Sequence, residues 1–121
     1  MKNIILAITL LFGVTILHAQ QSKPYKDNQD ARADLKAAIA QAQKENKNIL
    51  IQFGGNWCPW CRSFHALVTR VPRLDSLMKA NYVYLLISVP IEREKRDYSL
   101  FQEFGYPNRF GYPVFVILEP S

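Results

Sequence analysis

Two cysteines, Cys58 and Cys61, are the residues of this 121-residue chain whose type and spacing offer the clearest chemistry. Two cysteines three positions apart at a helix start can close a small disulfide ring. The free N–H groups and the dipole at that helix end favour a thiolate on the outer sulfur. We therefore expect Cys58 to be the nucleophile of thiol–disulfide exchange. Cys61, one turn further along, is expected to be buried and to attack the mixed disulfide that Cys58 forms.

Other roles for the cysteine pair are a structural disulfide, two inert core thiols or a metal site. A ring this small removes little entropy from the unfolded chain, so it would stabilise the fold only weakly. Outside the N-terminal segment, His65 is the only histidine, which leaves at most three cysteine and histidine ligands for a metal. We expect neither a metal nor a cofactor, and we expect the redox-active group to be the Cys58–Cys61 disulfide itself.

The N-terminal segment has the pattern of a secretory signal peptide. Residues 1–3 form a short positively charged start, residues 4–17 are almost wholly apolar, and Ala19 provides a small residue for cleavage. The apolar run is shorter than the ~20 residues that span a bilayer as a stable helix, so an uncleaved anchor is the less favoured alternative. We expect a signal peptide over 1–19, cleavage near Ala19, and an extracytoplasmic protein that is periplasmic or secreted.

The composition is that of one globular domain, with 49% hydrophobic and 21% charged residues. Fifteen Lys and Arg against ten Asp and Glu give a net charge of +5, but the basic residues are scattered. The densest basic stretch, residues 93–96, is interrupted by Glu94 and indicates a solvated loop. We therefore expect no nucleic-acid partner.

The elements that must position the cysteines alternate between helix and strand. The polar residues 20–29 predict a flexible lead-in without identifiable chemistry, before a domain over 30–121. Apolar periodicity predicts three helices: one capped by Asp30 and running to about residue 46, one from the cysteines to Pro72, and one over 74–80. One or two further helical turns are expected over 100–104. Apolar runs bounded by turn residues predict strands over 48–53, 82–89 and 114–118. Strands separated by helices predict a central, largely parallel sheet with helices on its faces.

The sequence resembles the thioredoxin superfamily over residues 30–118. The resemblance lies in the run Phe-Gly-Gly-Asn-Trp-Cys-Pro-Trp-Cys after a predicted strand, and in Gly-Tyr-Pro at 111–113 entering a later strand. Within the superfamily, the chain is most similar to secreted bacterial thioredoxin-like proteins with a Cys-Pro-Trp-Cys centre. The resemblance implies an α/β thioredoxin-like fold, with a central mixed sheet flanked by helices. It also implies that Cys58 attacks and Cys61 resolves.

The resemblance further implies a cis peptide at Tyr112-Pro113, packed against the cysteine pair. The backbone of Tyr112 would then be free to pair with an extended substrate. Tyr106-Pro107 has the same local sequence and is the competing candidate, but a strand follows Pro113 directly.

Three residues around the cysteines complete the expected substrate-binding set. Trp57 and Trp60 are expected to line the rim of the site, with ordinary packing as the alternative for each. Trp60 lies between the cysteines and is expected to be exposed, which favours contact with substrate. Pro59 suits the first helical position, where a missing N–H costs nothing.

Two departures from the superfamily pattern affect these expectations. Gln52 stands where many thioredoxins carry a buried acid, and an amide cannot act as a base near neutral pH. The proton acceptor must then be water or another group; His65 is conceivable, although packing or exposure to solvent is the commoner role of a helix histidine. The sequence also stops after the predicted strand at 114–118. We therefore expect a fold without the family's last strand and helix, and with an exposed sheet edge.

These observations together predict an enzyme, an extracytoplasmic thiol–disulfide oxidoreductase. Its expected partners are client proteins with thiols or disulfides, and a redox partner that could be membrane-bound. The direction is open, because reducing and oxidising members of the superfamily span roughly −270 to −120 mV. The alternative is a thioredoxin-like peptide-binding module or chaperone, which would hold extended peptides beside Pro113 without redox turnover.

Overall fold

The computed structural model describes residues 22–121, so the predicted signal peptide lies outside the described residues. In chain order the elements are α1 (Ala31–Glu45), β1 (Asn48–Gly54), α2 (Pro59–Arg70), α3 (Pro72–Asn81), β2 (Tyr82–Ser88), a 3-10 turn (Arg93–Lys95), α4 (Tyr98–Glu103), a second 3-10 turn (Pro107–Phe110) and β3 (Val114–Leu118). All three predicted strands and all three predicted long helices are present. Within residues 22–121, no helix is long and apolar enough to cross a membrane.

The helix ends follow the sequence signals that predicted them. Asp30 caps α1, because its carboxylate accepts a hydrogen bond from the Ala33 N–H at 3.0 Å. The helix ends at Asn46, which adopts a left-handed conformation with φ of 51°. Pro72 separates α2 from α3 and occupies the first position of the new helix, where its missing N–H is tolerated.

The three strands form one mixed sheet in the order β2–β1–β3. Strand β1 is parallel to β2 and antiparallel to β3. The expectation of a largely parallel sheet is therefore wrong for β3, and the mixed sheet implied by the resemblance is confirmed. The direction of β3 has a simple cause: residues 89–113 stay at the carboxyl end of β1 and β2, so β3 starts there and runs back. Because of this path, Pro113 lies at the carboxyl end of β1, where the turn that leads to the cysteines begins.

Strand β1 sends alternate side chains to two different layers. Its odd-numbered residues Ile49, Ile51 and Phe53 are fully buried and pack against α1 and α4. On the opposite face, Leu50 packs with Val68 of α2 and Met78 of α3. Gln52 and Gly54 continue this second row toward the start of α2, which places them behind the cysteines.

Strand β3 alternates in the same way, with one face covered and the other exposed. Val114, Val116 and Leu118 pack against the core shared with α1. Phe115 and Ile117 point to the other side and are 38% and 56% exposed. Within residues 22–121, the outer edge of β3 has no partner strand.

Candidate active site

Cys58 and Cys61 form a disulfide at the start of α2. A tight turn leads from β1 into this helix, closed by a hydrogen bond from the Cys58 N–H to the Gly55 carbonyl at 3.0 Å. Cys58 is the N-cap residue, and its sulfur accepts a hydrogen bond from the Cys61 N–H at 3.2 Å. Pro59 occupies the first helical position and leaves no donor unsatisfied there. The helix end therefore presents one backbone donor, the Cys61 N–H, to the sulfur of Cys58.

Burial distinguishes the two cysteines. Cys61 has no exposed surface, and Cys58 is 4% exposed, so Cys58 is the outer residue of the pair, as expected. The pair forms one buried cluster with Tyr25, against which Leu86 and Tyr112 are packed. A partner molecule can reach the disulfide only from the side of Cys58.

The two tryptophans beside the cysteines have different environments. The Trp57 indole N–H donates a hydrogen bond to the Val89 carbonyl at 2.8 Å, and its ring meets the Tyr112 ring edge-on at 5.6 Å. Trp57 thus connects the end of β2 to the segment before β3. The Trp60 side chain is 76% exposed and stands at the start of α2 next to the disulfide. Of the two, Trp60 offers the free aromatic surface.

The peptide bond between Tyr112 and Pro113 is cis, as expected, and it is the only cis bond in residues 22–121. The competing bond, Tyr106-Pro107, is therefore trans. Gly111, immediately before Tyr112, has a φ of +88°, a conformation that favours glycine. The Tyr112 side chain packs against the cysteine cluster. Outside the helices and strands of the described part of the chain, no backbone hydrogen bond involves Tyr112.

Arg96 brings a positive charge to the rim of the site. Its guanidinium lies 5.8 Å from the centre of the Tyr112 ring. It also donates hydrogen bonds to the Pro90 and Ile91 carbonyls, at 2.8 and 3.1 Å. Arg96 therefore fixes the loop after β2 against the residue that precedes the cis-proline. Burial raises the pKa of the Tyr112 hydroxyl, and the charge of Arg96 opposes part of that rise.

Behind the disulfide, Gln52 is fully buried and uses both ends of its amide. Its nitrogen donates a hydrogen bond to the Cys61 carbonyl at 3.0 Å, and its oxygen accepts one from the Tyr84 hydroxyl. Burial raises the pKa of Tyr84, so this network is neutral near pH 7. His65 stacks on the Tyr84 ring at 6.0 Å, and burial, with a smaller contribution from the charge of Arg70, lowers its pKa. The observed contact of His65 is thus with an aromatic ring.

Tyr25, which lies within the predicted lead-in, was not among the expected site residues. Tyr25 is 3% exposed and packs on the cysteine pair. Its backbone pairs with the side chain of Asn56 through hydrogen bonds of 3.0 and 2.9 Å, which attach the segment to the cysteine turn. Burial raises the pKa of the Tyr25 hydroxyl, and the nearby Gln52 amide, which does not reach hydrogen-bond geometry, offsets part of the rise. A lone aromatic in a polar segment was the only sequence signal.

Gln29 holds the other end of the same segment. Its amide nitrogen donates to the Leu86 carbonyl at 2.8 Å, and its amide oxygen accepts from the Ser88 N–H at 2.7 Å. Gly54 leaves the space into which the segment packs, because a Cβ there would collide with the sulfur of Cys61 and the hydroxyl oxygen of Tyr25. The residues before α1 are therefore part of the wall of the site.

Residues 30–120 match the model of a protein family described as thioredoxin-like. The chain belongs to this family. A solved structure of a disulphide isomerase from Xylella fastidiosa Temecula1 superposes with a TM-score of 0.72 at 27% identity, over 82% of this chain and 73% of that one. A thioredoxin from Thermus thermophilus superposes with a TM-score of 0.52, also at 27% identity, over 71% of this chain and 62% of that one. A comparison with curated proteins found no match.

The thioredoxin-like fold and the disulfide between Cys58 and Cys61 support thiol–disulfide oxidoreductase activity in general terms. The described part of the chain contains no group of three or more His, Cys, Asp or Glu side chains that could hold a metal ion. The chemistry that the site itself offers is exchange at the disulfide.

We expect the Gln52→Leu variant to lose about 1–3 kcal/mol of unfolding free energy, because it leaves the buried Cys61 carbonyl without its donor and the half-buried Tyr84 hydroxyl without its acceptor. Urea denaturation of the oxidised protein measures this loss. The matched control is Gln41→Leu, which removes an exposed amide bonded only to Glu45 and should change stability little. Equal losses in the two variants would contradict a structural role for the buried network.

Proposed function

We propose that this protein is an extracytoplasmic thiol–disulfide oxidoreductase that exchanges the Cys58–Cys61 pair with client proteins through a mixed disulfide. The observation that carries the proposal is the position of Cys58 at the N-cap of α2, where its sulfur accepts the Cys61 N–H at 3.2 Å while bonded to Cys61. This donor and the helix dipole stabilise a negative sulfur once the disulfide opens.

The comparisons support the same class of chemistry. One superposed structure is described as a disulphide isomerase and the other as a thioredoxin. Neither description fixes the direction in which this chain would move electrons. For this chain, the direction depends on the reduction potential of the pair.

The burial of the two sulfurs sets the order in which they react during exchange. As a reductant, the Cys58 thiolate attacks one sulfur of a client disulfide, and the other client sulfur leaves as a thiolate. Cys61 then loses its proton and attacks the Cys58 sulfur, which closes the Cys58–Cys61 disulfide and releases the second client thiolate. Two electrons have passed to the client. As an oxidant, the protein runs the same steps backwards.

The surroundings of Cys58 suit an extended client segment. The Tyr112 backbone, next to the cis bond, has its hydrogen-bonding groups available, and the Tyr112 side chain packs on the cysteine cluster. A client strand could pair with this backbone while its own cysteine reaches Cys58. The exposed ring of Trp60 lies beside the same approach. We assign client contact to Trp60 and Tyr112. Pro59 and Pro113 shape the path by which the client reaches Cys58, and Trp57 supports that path.

The reduction potential of the pair is the first test of the proposal. We expect purified protein to equilibrate reversibly with glutathione or dithiothreitol buffers, at a potential between about −270 and −120 mV. A value near the negative end assigns a reductase that needs an electron supply, and a value near the other end assigns an oxidant. Trapping with a model client distinguishes the roles of the cysteines: Cys61→Ser should accumulate the mixed disulfide, and Cys58→Ser should form none.

A pair that cannot be cycled would contradict the proposal. A Cys58→Ser variant that retains all function, including binding of an unfolded peptide, would instead favour the peptide-binding module. The double variant, with both cysteines replaced by serine, provides the matched background for non-specific capture in the trapping experiment.

Replacement of Trp60 tests whether this side chain contacts clients. Trp60→Ala should raise the KM for a protein client several-fold, because large exposed aromatics contribute strongly to recognition. The rate of exchange with glutathione should change little, since glutathione is too small to use this surface. Leu77→Ala, which removes another exposed apolar side chain from α3, is the matched control. A uniform loss with client and glutathione would show that Trp60 acts on the cysteines and not on the client.

Export is tested by expressing residues 1–121 in a Gram-negative host. We expect the protein in the periplasmic fraction with Gln20 at its N-terminus, because residues 1–19 have the signal-peptide pattern. N-terminal sequencing and fractionation measure both properties, and a chain without residues 2–19 is the control that stays in the cytoplasm. Membrane-bound protein with an intact N-terminus would instead indicate an uncleaved anchor.

A further inference from the structure

The hydroxyl of Tyr25 is a buried polar group without a partner. Tyr25 is 3% exposed, and its hydroxyl oxygen has no hydrogen bond within residues 22–121 while Cys58 and Cys61 form a disulfide. Buried hydroxyls are nearly always paired, because an unpaired one forfeits its bonds to water. Phenylalanine would fill the same space without this cost. The disulfide form therefore carries a donor whose partner is missing.

The position of this hydroxyl points to the sulfur of Cys61. A Cβ added to Gly54 would collide with both the Cys61 sulfur and the Tyr25 oxygen, so both atoms border the same small space. The tyrosine and the two cysteines form one buried cluster. The backbone of Tyr25 is held to Asn56 by two hydrogen bonds, so the place of the ring does not depend on a bond from its hydroxyl.

The Gln52 amide and the Cys61 N–H, which also lie near the sulfurs, are already engaged. The Gln52 amide nitrogen donates to the Cys61 carbonyl, and its oxygen accepts from Tyr84. The N–H of Cys61 is directed to the sulfur of Cys58. Cys58 thus has a donor from the helix end. Two hydroxyls of the cluster, those of Tyr25 and Tyr112, are buried and unpaired. Of these, the Tyr25 hydroxyl borders the same space beside Gly54 as the sulfur of Cys61.

We propose that the Tyr25 hydroxyl donates a hydrogen bond to the Cys61 sulfur when the disulfide opens, and so stabilises the reduced pair. Held in the disulfide, the Cys61 sulfur does not accept this bond. The freed sulfur of the reduced pair is able to turn toward the hydroxyl, and the bond becomes charge-assisted when Cys61 loses its proton. The donor that has no partner in the oxidised form gains one in the reduced form. This inference rests on the proposed redox cycling of the pair and assigns a new functional residue to it, from a segment without a recognised motif.

The sign of the effect follows from which form is stabilised. Any interaction made only in the reduced form shifts the equilibrium toward the dithiol and makes the disulfide a stronger oxidant. The unpaired hydroxyl acts in the same direction, because it disfavours the disulfide form. Removal of the hydroxyl should therefore make the pair harder to reduce.

The test is the equilibrium between the protein disulfide plus two glutathione thiols and the protein dithiol plus glutathione disulfide, measured for the full chain and Tyr25→Phe. We expect the equilibrium constant for reduction to fall about five- to tenfold in Tyr25→Phe, a shift of about 20–30 mV to more negative potential. Tyr82→Phe makes the same chemical change in the separate cluster beside α3, and its potential should equal that of the wild type.

The outcomes separate the two proposals. A wild-type pair that does not cycle overturns the proposed function, and this inference with it. A wild-type pair that cycles, with an unchanged or less negative potential in Tyr25→Phe, overturns this inference alone. A shift shared with Tyr82→Phe also overturns it, because the effect would then not be specific to the site.

A second measurement does not depend on the folding of the variant. NMR of the wild-type chain in both redox states should show a Tyr25 hydroxyl proton protected from exchange in the dithiol form and unprotected in the disulfide form. The same exchange behaviour in both forms would overturn the inference.

Thermal unfolding of oxidised Tyr25→Phe should give a Tm equal to or above that of the wild type, since the variant removes an unpaired buried hydroxyl.

Discussion

The burial of β1 on both faces is the constraint on which the rest of the structure depends. A strand in this position needs a helix layer on each side, and its alternating side chains decide what each layer meets. The odd row gives a wholly apolar layer under α1 and α4. The even row changes from Leu50 to Gln52 to Gly54 as it approaches α2. In this even row, Leu50 therefore belongs to the core, and Gln52 and Gly54 form the wall behind the disulfide.

The wall behind Cys61 is polar but uncharged. A carboxylate at position 52 would have to be paired or protonated there, because an isolated buried charge is very costly. Gln52 avoids this cost: one end of its amide satisfies the Cys61 carbonyl and the other accepts from Tyr84. The consequence is that no group in this network gains or loses a proton near pH 7, since burial raises the pKa of Tyr84. The interactions behind Cys61 should therefore vary little with pH.

The sequence predicted the parts of the site that depend on local patterns. The cysteine pair on a helix start and the apolar run of β1 follow from residue types and their neighbours, whereas the cis bond before Pro113 was implied by the resemblance to the thioredoxin superfamily. The direction of β3 could not be predicted in this way, because alternation is the same for parallel and antiparallel strands. Tyr25 was missed for a related reason: its contacts with Asn56 and the cysteines span more than thirty positions, and its polar segment has no periodicity.

Burial, rather than charge alone, sets the order in which the two cysteines react. Both sulfurs benefit from the same helix end, but only Cys58 has exposed surface and a donor from the Cys61 N–H. An incoming sulfur must approach along the S–S axis from outside, and the fully buried Cys61 offers no such path. Cys61 can therefore react only with Cys58, inside the protein. This geometry makes escape from a mixed disulfide an internal step, governed by the groups that surround Cys61.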